Sequence, residues 1–337
     1  YASWVAVAIL ASALIVYIQY IGTKKAAKLQ NILTCIIAGV GLLLVAGSAV
    51  TGDMNNLSGQ EFVGDNGGDI ISNILKVAIM TPFFLFGFDV IPQAAEEINM
   101  PLKRLGKLMI ASIGMAVVFY AMIVVAIGYV MNPEQIAASM ADTGMVTADA
   151  IAIAFSNEAM TKVLIIGGLC GIVTTWNSFL IGGSRVIFSM SKARMLPKTF
   201  SKLHPEYNTP WVAILFLGIL SMIAPLFGRV MLVWIVDAAN FACCLAYCMV
   251  ALSFLRLRKT KPNMARPFRV KSGKLIGSLA VLMSGFMALM YMIPGTNCSL
   301  TWQEWIIVGG WAFLGVLLAI LAVRLYGDDF CSGMNFE

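Results

Sequence analysis

The chain has little charge, a single histidine and no cysteine framework, and each scarcity removes a class of protein. Asp, Glu, Lys and Arg make up 12 % of its 337 residues while hydrophobic residues reach 60 %. A soluble domain carries about a quarter charged residues, so a water-soluble globular fold is excluded. His204, between Leu203 and Pro205, is the only histidine. A histidine metal site or a histidine base at membrane depth is therefore excluded. HExxH, GxSxG and phosphate-cradling glycine motifs are missing, so no catalytic residue, metal site or cofactor is expected and the chain does not read as an enzyme. Of the seven cysteines, Cys35, Cys170, Cys243, Cys244 and Cys248 fall inside apolar runs, Cys298 stands alone in a loop and Cys331 lies near the end. Neither disulfide pairing nor metal spacing emerges from them, and Cys243, Cys244 and Cys248 read as small packing residues. A filter-like loop or a ring of like charge, either of which would point to a channel, is also lacking.

What the chain has instead is long uncharged runs. With Asp89 and Asp237 taken as intramembrane charges, nine runs approach or exceed the roughly 18 apolar residues needed to cross a bilayer. They cover about residues 1–21, 27–50, 73–96, 105–131, 162–188, 211–227, 230–256, 274–293 and 303–325. With alternate connections on one side, 20 of the 23 Lys and Arg residues fall together, in the loops around Lys24–Lys28, Lys103–Lys107, Arg185–Lys202 and Arg256–Lys274 and at Arg324. The other side keeps Lys76, Lys162 and Arg229 and carries the acidic loops, including Thr51–Asp69 and Asn132–Glu158. The positive-inside rule makes the first side, with the C-terminus, cytoplasmic. The net charge of +6 is then a topology signal facing anionic lipid, and no nucleic-acid partner is expected. Trp211, Trp234, Trp302 and Trp305 near span ends fit the interfacial belt. The first residue, Tyr1, is not a methionine, and the chain enters the membrane at once. The expectation is a piece of a longer protein, one polytopic domain without a signal peptide or soluble leader.

The most informative span runs from Lys76 to Glu97, where Gly87, Phe88, Asp89 and Pro92 interrupt the apolar pattern. A carboxylate at membrane depth costs a few kcal/mol or more and is rarely kept unless it faces a cavity, a partner or a substrate. Glycine and proline beside it let a helix unwind and turn free backbone groups toward a ligand. The competing structural account is a proline-kinked packing helix whose aspartate pairs with a neighbour. A second polar cluster, Thr174, Thr175, Trp176, Asn177 and Ser178, lies inside an uncharged run, and there interhelical glue and ligand contact are equally open. Gly167 and Gly171 form a small-xxx-small pair. Asp237 and Asn240 stand one turn apart, with Arg229 near enough to pair with Asp237.

At these residues the sequence resembles the amino acid, polyamine and organocation (APC) permease superfamily. Gly87-Phe88-Asp89 through Glu96-Glu97, Pro101, Lys103 and Arg104 resemble its broken sixth helix and the basic loop that follows. Ser184-Arg185, Met195-Leu196-Pro197, His204-Pro205 and Thr209-Pro210 are similar to the loop after its eighth helix, and Arg256-Leu257-Arg258 with Arg266-Pro267-Phe268 to the end of its tenth. The resemblance implies an all-α integral membrane protein with the leucine-transporter-like inverted-repeat fold. About nine transmembrane helices, family helices four to twelve, are present, and the first three are missing. Residues 1–50 would end the first repeat, 73–256 form the second and 274–326 supply two peripheral helices, in one membrane domain over 1–337.

It implies as function a secondary active permease moving amino acids or related amines by alternating access, in symport or antiport, as a multi-pass protein of the cell membrane. The alternative is a non-transporting sensor or scaffold on the same fold. The substrate-binding residues it implies are Phe83 at the gating-aromatic position, Phe86 and Gly87 at the break with Phe88, Asp89 as an acid near the substrate, and Asn177 and Ser178 from helix eight. The partners are an amino acid or amine substrate, a coupling ion, either proton or sodium, and the lipid bilayer. Several proton-coupled members carry a lysine midway along helix five, and the stretch Leu33–Ile37 has none.

Overall fold

A backbone in hydrocarbon has no water for its N–H and C=O groups and must satisfy them internally, so apolar runs of this length become helices. A computed structural model describes residues 2–57, 67–98, 100–266, 268–295 and 298–332. Among them twelve α-helices follow in order: α1 (Ala2–Ile21), α2 (Thr23–Thr51), α3 (Gly67–Leu85), α4 (Val90–Gln93), α5 (Leu102–Val130), α6 (Pro133–Asp142), α7 (Val146–Phe155), α8 (Ala159–Lys192), α9 (Trp211–Ile223), α10 (Arg229–Thr260), α11 (Gly273–Met292) and α12 (Trp302–Tyr326).

Among the described residues, six segments are long and apolar enough to cross a membrane: Lys25–Thr51, Leu102–Val130, Ala159–Lys192, Val230–Thr260, Gly273–Met292 and Trp302–Asp329. The chain is a multi-pass membrane protein. The other three expected spans correspond to shorter pieces. Val5–Ile21 is an apolar stretch of α1, α3 stops at Leu85, and α9 tightens into a 3-10 turn over Ala224–Phe227. Pro225, which cannot donate a helical hydrogen bond, sits in that turn.

The stretch 132–158, read from its charges as a loop, holds α6 and α7. Each has ten residues, too short to register as a span. Asn132 and Gln135 cap α6 reciprocally: the Gln135 N–H donates to Asn132 Oδ1 at 2.8 Å and the Asn132 N–H to Gln135 Oε1 at 3.0 Å. Asp149 on α7 accepts from the Ser139 and Thr143 hydroxyls at 2.5 and 2.8 Å, so its charge locks the turn between the two helices.

The chain divides into two compact units. One comprises Tyr1–Ile21, Lys76–Leu108 and Leu180–Glu337, and the other Gly22–Leu75 and Met109–Phe179. The core of the second joins Leu44 of α2, Ala126 and Val130 of α5, and Ala150, Ile151 and Ala154 of α7. Glycines bring its helices close. Phe119 lies over Gly41, Phe155 over Gly47 and Val40 over Gly167, while the end of Ile37 reaches Gly171. In the first unit α10 packs on α11 and α12, and α1 on α9. Its core gathers Ile79, Phe241, Cys244, Ala288, Tyr291 and Leu300, where Cys244 acts as a small apolar side chain.

Gly167→Leu should destabilise the protein by about 1–3 kcal/mol, because Val40 occupies the space a side chain would need. Thermal unfolding in detergent measures it. Gly168→Leu, one residue on and open on its own face, should leave the transition temperature unchanged.

Candidate functional site

The interruption predicted near Asp89 is a true break. After Leu85 the backbone turns over Phe86–Asp89 before α4 begins, and a 3-10 turn over Ala95–Glu97 follows. Gly87 holds φ +120° with open space around its Cα, so backbone conformation, rather than crowding, calls for glycine there. The Gly87 N–H, released from the helix, donates to Asp89 Oδ1 at 3.0 Å, and the Gln93 side-chain amide donates to Asp89 Oδ2 at 3.3 Å. Asp89 thus holds the two ends of the break together.

The ring of Tyr247 on α10 lies 5.9 Å from Phe86 and 5.8 Å from Phe88, centroid to centroid. Its hydroxyl is buried without a hydrogen-bond partner among the described residues, and Asp89 is within electrostatic range of both Tyr247 and Cys243. Phe86, Gly87, Phe88 and Asp89 are therefore gathered in one unit, around a tyrosine the sequence did not single out. The signal available was slight, a single phenol inside an otherwise uncharged run. Phe83 lies on α3 with its side chain outside the described residues.

Gln93 carries the break onward. Its side-chain oxygen lies so close to Gly182 of α8 that any side chain there would displace it. It also lines a cavity of about 470 Å³ with Glu97, Arg185, Ser189, Lys192 and Asn208. Arg185 is 7 % exposed and grips Glu97 with two bonds, Nε to Oε1 at 2.8 Å and Nη2 to Oε2 at 3.3 Å. Its Nη1 donates to the Ser184 hydroxyl at 2.7 Å. Lys192 sits over the Phe188 ring at 4.7 Å. The wall thus presents a carboxylate and two cations side by side. Nearby, His204 is structural: Nδ1 accepts the Glu206 and Tyr207 N–H groups, and the imidazole stacks on Tyr207.

Asn177 and Ser178 belong to the other unit, and a side chain the sequence left unnoticed engages both. Fully buried Asn177 donates to Gln30 Oε1 at 2.9 Å, and Gln30 Nε2 donates to the Ser178 hydroxyl at 2.9 Å. The network ties α8 to α2. Thr174 bonds back to the Gly171 carbonyl at 2.8 Å. Asp237, for which the sequence offers pairing with Arg229 as one reading, is within hydrogen-bond reach of Glu304 on α12. The side chain of Arg229 lies outside the described residues. Glu304 in turn accepts the Thr301 N–H at 2.7 Å.

Over residues 1–318 the chain matches the family described as amino acid permease. The chain belongs to the amino acid permease family. That places it in the APC superfamily, whose motifs the break and its flanking loops resemble. It is 28 % identical over 310 residues to the branched-chain amino acid permease BcaP of Bacillus subtilis, covering 92 % of this chain and 62 % of that protein. It is 26 % identical over 318 residues to the methylthioribose transporter of the same organism, covering 90 % and 61 %. It is 26 % identical over 307 residues to the glutamate/serine transporter AimA of that bacterium, covering 90 % and 53 %. The chain thus spans about three fifths or less of the length of these relatives.

The pair that joins the break to α8 should show itself in a double-mutant cycle. Glu97→Gln, Arg185→Gln and the double variant are expected to give a coupling of about 0.5–3 kcal/mol from unfolding in detergent. Arg185→Lys should not restore it, since an ammonium cannot reproduce the two-bond grip.

Proposed function

We propose that this permease chain is the larger part of a secondary active transporter that carries amino acids or related amines by alternating access. The observation that carries the reading is the break at Gly87: a carboxylate, two phenyl rings and a buried phenol meet where the backbone has left the helix. The family match and the relatives' names support the transport class.

In this reading the substrate's ammonium group meets Asp89 and the Tyr247 hydroxyl, while Phe83, Phe86 and Phe88 wall in its side chain. Asn177 and Ser178, held in place by Gln30, are the candidate substrate contacts from helix eight. The cavity beside Gln93 is the exit vestibule, in which Glu97 and Arg185 offer complementary charge to a zwitterion. The architecture is the inverted-repeat fold with nine spans in one membrane domain: residues 1–50 close the first repeat, 73–256 form the second and 274–326 lie outside both. Basic loops and the C-terminus face the cytoplasm across the cell membrane, and a proton or sodium ion drives the cycle.

Uptake of a radiolabelled amino acid and amine panel by the complete protein in proteoliposomes tests the proposal. Saturable, stereoselective uptake is expected; uptake of none of them would sink it. Asp89→Asn keeps an oxygen for the Gly87 N–H but removes the charge. It should insert normally and cut uptake about ten- to a hundredfold, the worth of a charged hydrogen bond. Undiminished uptake would leave Asp89 a purely structural role.

A further inference from the structure

From Arg256 to Lys274 the connection between α10 and α11 carries eight Lys and Arg residues and no Asp or Glu. A topology signal needs only the excess of charge, but this loop is also built. Arg266 folds back on the end of α10, its Nη2 donating to the Lys261 and Leu257 carbonyls at 2.8 and 3.4 Å and its Nη1 to those of Pro262 and Met264 at 3.1 and 3.2 Å. It thereby satisfies acceptors that a helix C-terminus leaves open. Arg258 lies 4.6 Å from the Phe254 ring centre and donates to the Val270 carbonyl at 3.1 Å. Gly273 sits directly under that guanidinium, Gly277 under Leu255 and Phe254, and the Phe268 ring covers Gly106. Two of the eight cations therefore fold the loop onto a tightly packed helical hairpin.

The remaining six, Arg256, Lys259, Lys261, Arg269, Lys271 and Lys274, are exposed, and none forms an ion pair among the described residues. Arg185 and Arg194, in contrast, each have a carboxylate partner. Among the six cations stand two exposed apolar side chains, Met264 at 42 % and Phe268 at 36 %. Because α10 and α11 are both long enough to cross the membrane and pack side by side, their shared end lies at the headgroup layer.

We propose that this loop is a binding site for anionic phospholipid. The six cations hold phosphate headgroups, and Met264 and Phe268 enter the boundary of the acyl chains. Clustered Lys and Arg beside a membrane span attract anionic lipid over about a Debye length. A soluble phosphate presents the same anion but offers the two apolar side chains nothing to enter, so the lipid is the better fit.

The test uses the full chain in nanodiscs of phosphatidylcholine with a minor fraction of phosphatidylglycerol, and native mass spectrometry of the lipids that leave with the protein. Phosphatidylglycerol should be enriched over the bulk about tenfold or more. On the unaltered protein, raising salt from about 0.05 to about 0.5 M should abolish the enrichment, as screening requires. In the variant K259Q/K261Q/R269Q/K271Q it should fall to about the bulk ratio, while K259R/K261R/K271R keeps it. These charges also guide insertion, so the variants are compared only where protease accessibility shows native topology, and the salt arm needs no variant. No enrichment, enrichment indifferent to salt or surviving in the glutamine variant, or displacement of the lipid by inorganic phosphate would each overturn the proposal.

Discussion

In hydrocarbon no water takes up a backbone group that a helix has released, so an interrupted helix must satisfy itself from within the protein. The turn after Leu85 shows how. The Gly87 amide would be an orphan donor there, and Asp89, two residues on, accepts it. Without that bond the break would cost the desolvation of a free amide, about 1–3 kcal/mol. Without the break, in turn, the carboxylate would be an unpaired charge in an apolar span. Two features that are each unfavourable alone become mutually stabilising, and this local compensation is what permits a polar site to exist there.

The same economy extends from the break along the chain. Gln93 donates to the second oxygen of Asp89 and rests on Gly182, so the orientation of the carboxylate depends on how closely α4 approaches α8. A turn further, Arg185 closes on Glu97. The guanidinium is almost wholly buried, and a buried cation is tolerated only when paired and hydrogen-bonded; Glu97 and the Ser184 hydroxyl supply both. Movement of the segment after the break would therefore have to break or carry along the Glu97 pair. The cavity between them is bounded by charge that is fixed in place rather than free to collapse inward.

Much of this was legible in the sequence because the membrane writes a coarse code. Length and apolarity find the long spans, and glycine with aspartate inside one marks the break. Glycines spaced by four mark the approach of α2 to α8. Detail fails where one residue carries the information. Tyr247 and Gln30 have no spacing partner on their own helices, so nothing along the chain indicates that one faces Phe86 and Phe88 and the other binds Asn177 and Ser178. Asp237 illustrates the limit from the other side: it lies within hydrogen-bond reach of Glu304, supplied by a helix that follows much later, and nothing near it in sequence points there. The ten-residue helices α6 and α7 escaped because a charged, interrupted stretch shorter than a span resembles a loop.

The relatives bear names with quite different cargoes, branched-chain amino acids, methylthioribose, and glutamate or serine, at nearly equal identity to this chain. Family membership therefore carries the scaffold and leaves the cargo open. An ionised carboxylate has about four acceptor positions, and Asp89 uses two of them, for the Gly87 and Gln93 donors. Among the described residues the others remain available on the same group that stabilises the turn, so on the proposed reading one residue can hold the broken helix and still receive an ammonium. On the same reading Phe86 and Phe88 face the side chain that accompanies that ammonium. Two hydrocarbon faces favour an apolar side chain over a charged one, because a charge on that side chain would find no partner among them.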